Sequence, residues 1–304
     1  MDGFIGPRGL LTDVELKRVS TRSNSLGLLQ LGIHLGALLG SGVWVWQSRH
    51  SWAVAPALVV HGMLLNFLFA ALHESIHRTA FRSRWLNDVV AWCAGLVMLL
   101  PPGYFRHFHF AHHRFTQQID RDPELSSPKP TTLLAHLWAL SAIRSYWTAG
   151  VAILVKHAFG SVDAEFIPER ARRQVTIEAR IVCAVYAAIT MLAFALQTTS
   201  PLLLWVLPIV MAAPSLRLFL HAEHSNCELT TEMLVNTRTT VSNIGMRLLA
   251  WNMPYHVEHH LFPAVPFHAL GEVHRQIRGQ HVYLSRGYAH YHVSVLKQMV
   301  SNRD

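Results

Sequence analysis

Charge is the scarcest property of this chain. Only 14% of its 304 residues are Asp, Glu, Lys or Arg, while 51% are hydrophobic. A soluble domain carries about a quarter charged residues, so the deficit points to apolar surroundings for much of the fold. Cysteine is nearly absent too. Cys93, Cys183 and Cys227 lie far apart with no CxxC pair, which excludes rubredoxin, zinc-ribbon and thioredoxin-like sites and any disulfide framework. The chain shows no heme-binding module, no flavin-type Gly-rich fold and no iron–sulfur cysteine pattern. It also has no Ser/Gly/Pro-rich linker and no repeat, so residues 1–304 read as a single domain. Residues 1–25 are polar and lack a cleavable signal pattern.

What is present begins with long apolar runs. A hydrocarbon core needs about 20 apolar residues of helix, and four stretches approach this: Leu26–Trp46, Trp52–Leu72, Ile181–Leu196 and Leu202–Leu220. Short turns at Gln47–Ser51 and Gln197–Pro201 join them in pairs. The expected fold is an all-α integral membrane protein with four transmembrane helices in two hairpins, residues 26–72 and 181–222. Val89–Leu100, too short to span and closed by Pro101-Pro102, and Leu133–Phe159, interrupted by Arg144, Lys156 and His157, read as interfacial helices.

The net charge of +8 invites a nucleic-acid reading, but the basic residues form no stripe interleaved with aromatics. They follow membrane topology instead. Of 26 Lys and Arg residues, four precede the first run (Arg8, Lys17, Arg18 and Arg22), thirteen lie between the hairpins and seven follow the last run. Arg217 sits within that last run, and only Arg49 occupies an opposite turn. Both termini and the middle region should therefore be cytoplasmic, with residues 73–180 and 223–304 forming a helical cap.

Histidine is the compositional excess, with 21 residues, and three clusters stand out. The first is His73-Glu-Ser-Ile-His77, whose imidazoles share a helix face at i and i+4. Alone it also spells the zinc-protease HExxH motif, with Glu74 as general base. The second is His107-Phe-His109-Phe-Ala-His112-His113, and the third is His256-Val-Glu-His259-His260. Both contain HxxHH. The expected topology puts all three clusters on one side of the membrane, where they can converge. Eight boxed histidines are twice what a tetrahedral zinc needs, which favours a two-metal centre, and imidazole suits iron.

In these boxes the chain resembles the membrane fatty-acid desaturase and hydroxylase superfamily, which carries HxxxH, HxxHH and HxxHH in this order. The resemblance spans about residues 72–270. His109-Phe-Ala-His-His-Arg-Phe-Thr-Gln with Asp122-Pro-Glu, and Trp251-Asn-Met-Pro-Tyr-His-Val-Glu-His-His-Leu-Phe-Pro, look like short bacterial members. Carried over by position, the resemblance implies His73, His77, His109, His112, His113, His256, His259 and His260 as metal ligands. It adds one histidine after the last span, for which His224, following Glu223, is preferred to His221. Glu74, Glu258, Asn252, His107 and His221 are candidates for supporting that centre, as are Asp120 and Asp122. His61, near mid-span, reads as a neutral histidine bonded to another helix. His268, His274, His281, His290 and His292 show no metal spacing and read as surface residues.

The resemblance implies two ferrous ions, dioxygen as co-substrate and a lipid or hydrophobic small-molecule substrate. Electrons would come from a separate ferredoxin, rubredoxin or cytochrome b5 with its reductase. The expected setting is a bacterial inner membrane, with the donor docking near basic residues such as Arg172 and Arg173. The boxes do not separate desaturation from hydroxylation or demethylation.

Overall fold

The computed structural model describes residues 9–301 apart from 127–129 and 131. Arg8, Lys129 and Arg303 of the basic census lie outside the described residues. The chain is mostly helical. It opens with α1 (Asp13–Val19), held by a capping box between Thr12 and Glu15. Next comes α2 (Asn24–Ser48), where Ser23 caps the N-terminus by accepting from Leu26 N at 3.2 Å. Then α3 (Val54–Asn66) runs through a bend at Phe67 into α4 (Leu68–His77). Asn66 supplies a cause for that bend. Its amide donates back to Gly62 O (2.8 Å) and across to Ile209 O (3.0 Å), inserting a side chain into the backbone ladder.

Helices α5 (Arg84–Val97) and α6 (Pro102–Phe115) meet at 98°. Pro101 and Pro102 carry no N–H, and Leu99 adopts φ +50°, so the helix cannot continue between them. The apolar run beginning at Leu133 divides into α7 (Leu133–Leu140), a π-turn (Ile143–Thr148) and α8 (Ala149–Ala158). The break falls at Ala142, which has a positive φ of 58°. Helix α9 (Glu169–Ala195) begins twelve residues earlier than the apolar run predicts, and α10 (Leu207–His224) follows a π-turn over Leu202–Val206. The C-terminal region contains α11 (Met233–Asn236), β1 (Arg238–Val241), α12 (Ile244–Leu249), α13 (His256–Leu261), α14 (Leu270–Gln276), β2 (Tyr283–Arg286) and α15 (Tyr288–Ser301). The parallel pairing of β1 with β2, Arg238 opposite Tyr283, departs from the all-helical expectation. Four-residue strands are too short to stand out as an alternating pattern.

Among the described residues, four stretches are long and apolar enough to cross a membrane, Asn24–Ser48, Val54–His77, Glu169–Ala195 and Leu202–His224, with the bent pair α5 and α6 making a fifth if taken as one span. Leu39 (72% exposed) and Phe194 (80% exposed) show their outward surfaces to be apolar, as lipid contact requires. Inside, α2 packs on α3 and α3 packs closely on α10. A Cβ at Gly62 would lie 1.9 Å from Pro208 O, so only glycine permits that approach. His61 ties three segments together as the sequence suggests, through Ser41 Oγ (2.8 Å) and Leu204 O (3.0 Å). Beneath these helices a core containing Phe67, Leu72, Trp251 and Leu270 joins α4 to the C-terminal region.

Candidate metal centre

Four helices deliver nine imidazoles to one buried region. Helix α4 ends on His73 and His77, α6 carries His109, His112 and His113, α10 ends on His224, and α13 carries His256, His259 and His260. Helical spacing sets the pairs within a helix. The Nε2 atoms of His109 and His113 lie 2.9 Å apart, and those of His256 and His260 lie 3.1 Å apart. Contacts between helices complete two groups. His73, His77, His109, His113 and His259 gather in one, with His259 Nε2 3.0 Å from His113 Nε2. His112, His224 and His260 gather in the other, joined by His256, whose Nε2 is 3.0 Å from His224 Nε2. The stacked rings of His113 and His260, 4.1 Å between centroids, link the groups.

This donor set fits metal ions. Nitrogens bound about 2.1 Å from one ion at right angles are about 3.0 Å apart, and the observed edges run from 2.9 to 3.2 Å. Burial and the neighbouring imidazoles hold His109, His113, His256, His259 and His260 well below the ordinary histidine range. They are therefore neutral, with lone pairs to offer. His77 Nε2 is buried without a hydrogen-bond partner. Burial pushes His112 down as well, but Glu124 and Asp122 outweigh it and raise its pKa.

The far sides of these rings are anchored by groups the sequence only partly reveals. Asp122 Oδ1 lies 2.9 Å from His112 Nδ1, and its other oxygen accepts from Gln117 N at 2.8 Å. His224 Nδ1 sits 3.2 Å from Asn236 O, His260 Nδ1 3.3 Å from Thr116 Oγ1, and His256 Nδ1 3.3 Å from Glu223 Oε1. Thr116 and Glu223 stood within motif stretches without an assigned role, Asn236 carried no motif, and only the fold brings the three to these rings.

The other candidates lie elsewhere. Glu74 is fully buried and accepts from Thr79 Oγ1 (2.8 Å) and Phe267 N (3.1 Å), with its second oxygen 3.8 Å from His73 Nδ1. That carboxylate fastens α4 to the C-terminal region. Glu258 accepts from Thr239 Oγ1 (2.5 Å), His274 Nδ1 (2.5 Å) and His281 Nε2 (2.7 Å). Although burial opposes its charge, these bonds hold its pKa down at about 2. His274 and His281 thus depart from the surface role expected of them: the turn of chain after α14 brings both to one carboxylate. His292 also packs inward, 3.0 Å from Leu218 O. His221 meets Tyr291 Oη at 3.2 Å and the His136 ring, away from both groups. His107 is half-buried on a cavity wall, Asn252 donates to Phe267 O (3.1 Å) from a turn at φ +58°, and Asp120 occupies an exposed turn.

Beside the imidazoles lies a chamber of about 20 Å³, walled by His73, His109, His112 and His256, by Phe67, Phe69 and Phe219, and by Glu124 and Glu223. A cavity of about 1980 Å³ abuts it, sharing Phe69, Glu124, Leu216 and Leu220 as walls. The two spaces therefore adjoin along that wall.

The family model described as "Fatty acid desaturase" matches residues 49–294. Among curated proteins, the chain is 23% identical over 268 residues to the sn-1 oleoyl-lipid 12-desaturase of Picosynechococcus, covering 81% of this chain and 74% of that protein. It is 24% identical to the dihydrorhizobitoxine desaturase of Bradyrhizobium elkanii, over 71% of this chain and 66% of that one. It is 25% identical to a sphingolipid delta(4)-desaturase/C4-monooxygenase of Rattus norvegicus, over 76% and 69% respectively. The chain thus spans about two thirds to three quarters of the length of these relatives.

Proposed function

Because the chain belongs to the fatty acid desaturase family, whose members are oxidoreductases, we propose that it oxidises an unactivated C–H bond with dioxygen at a di-iron centre, most simply as a fatty-acyl or lipid desaturase. The observation that carries this reading is the nine-imidazole pair of groups, five and four, beside a chamber with aromatic walls. His73, His77, His109, His113 and His259 would hold one ion, and His112, His224, His256 and His260 the other. Two ferrous ions so held would supply oxygen activation, with dioxygen taking two electrons from the substrate carbons and two from an external donor to give an alkene and water. The chain's own part is to hold the nine rings in orientation, with His109, His113, His256, His259 and His260 kept neutral by burial, to exclude water with Phe67, Phe69 and Phe219, and to place one C–H bond. Residues 1–304 act as one domain in this reading, with two membrane hairpins, both termini cytoplasmic and the centre at the cytoplasmic face of a bacterial inner membrane. A separate ferredoxin, rubredoxin or cytochrome b5 delivers electrons to that face.

A second outcome, hydroxylation, is favoured by one observation: a relative of comparable identity is named as both desaturase and monooxygenase. Product analysis by mass spectrometry, after reconstitution with iron, oxygen and a reductase chain, separates the two. A product lighter by two hydrogens is expected; one heavier by an oxygen atom establishes the hydroxylase. Zinc in the purified protein, or no oxygen-dependent product, overturns the proposal. Asp122→Asn tests the anchoring of His112: it should weaken metal binding about 10- to 100-fold in a competition titration. Unchanged affinity would show that Asp122 does not orient the ring.

A further inference from the structure

The wall between the cavity and the chamber is charged where a mid-chain methylene would have to pass. Glu124 lines both spaces and lies 3.7 Å from His112 Nδ1. Its side chain keeps 41% of its accessible surface, and the two spaces it lines give that surface something to face. Arg217 lines the cavity one residue beyond Leu216, which walls both spaces, and is within electrostatic reach of Glu124 and the Tyr146 hydroxyl. It stands seven residues before His224 on α10, about 10 Å along the axis. It also lies inside a stretch apolar enough to cross a membrane, where an ionisable group facing a cavity marks a ligand path. Glu223 adds a second carboxylate to the chamber, among Phe67, Phe69 and Phe219.

We propose that the substrate is a zwitterionic amphiphile, with an ammonium and a carboxylate on its head, and that this head lies at the mouth of the chamber between Glu124 and Arg217. The inference rests on the oxidative reading of the centre and adds the substrate class. An uncharged chain threaded through this wall would strip water from Glu124 and Arg217 and return no polar contact. A head of one sign meets a counter-charge at one of the two groups and a like charge at the other. A zwitterion exchanges partners with both and adds no net charge. Phe69, which lines both spaces, adds an aromatic wall of the kind that suits an ammonium group, and the guanidinium suits a carboxylate through paired N–H donors. The oxidised carbon then lies close to the head.

The test measures binding without turnover. Full-length, metal-loaded protein in detergent micelles is titrated without oxygen with 2-aminododecanoic acid, dodecanoic acid and dodecylamine. The zwitterion should bind at least about tenfold more tightly than either single-charge analogue. Arg217→Gln should reduce it to the level of dodecylamine, and Glu124→Gln to that of dodecanoic acid. Arg217→Lys, which preserves the charge, should retain most of the preference. Glu124, in a single 3-10 turn (Pro123–Leu125) apart from the membrane-crossing stretches, keeps the test open should the Arg217 variants fail to fold. Dodecanoic acid binding as tightly as the zwitterion, or a preference that survives Glu124→Gln, overturns the proposal. Failure of the oxidation itself is a separate result: an intact binding preference with no oxidised product from any substrate would remove the proposed function alone.

Discussion

Replacing His224 with alanine should remove one metal ion, and turnover with it, whereas His221→Ala should leave the metal content intact. The two histidines are one turn apart at the end of α10, yet their surroundings differ. His224 Nδ1 faces Asn236 O at 3.2 Å, which turns Nε2 toward His112 (3.2 Å) and His256 (3.0 Å). It is the only residue of α10 in either imidazole group among the described residues. Loss of a group that merely supports a ligand weakens metal binding about 10- to 100-fold; loss of His224 should exceed that range. His221 instead meets Tyr291 Oη at 3.2 Å, and a hydrogen bond of this kind is worth about 1 kcal/mol. Its loss should register as a small drop in unfolding temperature. Iron per chain, determined by elemental mass spectrometry on both variants, decides the matter. Full iron in His224→Ala, or a lost iron in His221→Ala, would reverse the assignment.

The sequence displayed the ring-bearing residues because helical spacing is written locally. His73 with His77, His109 with His113 and His256 with His260 are each four residues apart, and each pair shares a helix face in the structure. The division into five and four was not legible, since His113 and His260 meet across 147 positions of sequence only through the packing of α6 on α13. The apolar runs were visible for the same local reason, although α9 extends into the charged segment from Glu169. The anchors were hidden. Asp122 stood out as a carboxylate near a box, but Thr116, Asn236 and Glu223 reach the rings through turns and long-range contacts that no period encodes. Glu74 and Glu258 have long-range partners that their boxes do not announce. Both sit inside boxes, yet their carboxylates bind the C-terminal region: Glu74 takes the Phe267 N–H, and Glu258 takes His274 and His281.

That last contact carries the second large effect. The double variant His274→Ala/His281→Ala should cost about 3–5 kcal/mol of stability, because it leaves the Glu258 carboxylate charged, fully buried and with Thr239 as its remaining side-chain donor. Single variants should cost less, since each leaves one imidazole on the same oxygen. The loss should extend to metal binding, because Glu258 lies between His256 and His259 on α13 and fixes that short helix against β1 through Thr239. Adding Glu258→Gln to the double variant should recover much of the stability, as it removes the stranded charge. Unfolding curves in detergent and iron content, measured on the single, double and triple variants, form the cycle. Were His274 and His281 surface groups, as their sequence spacing suggests, the double variant would unfold like the parent and Glu258→Gln would be additive with it. Recovery by the third substitution is the outcome that a merely damaged C-terminal region cannot produce, because a further change in a damaged region adds to the loss.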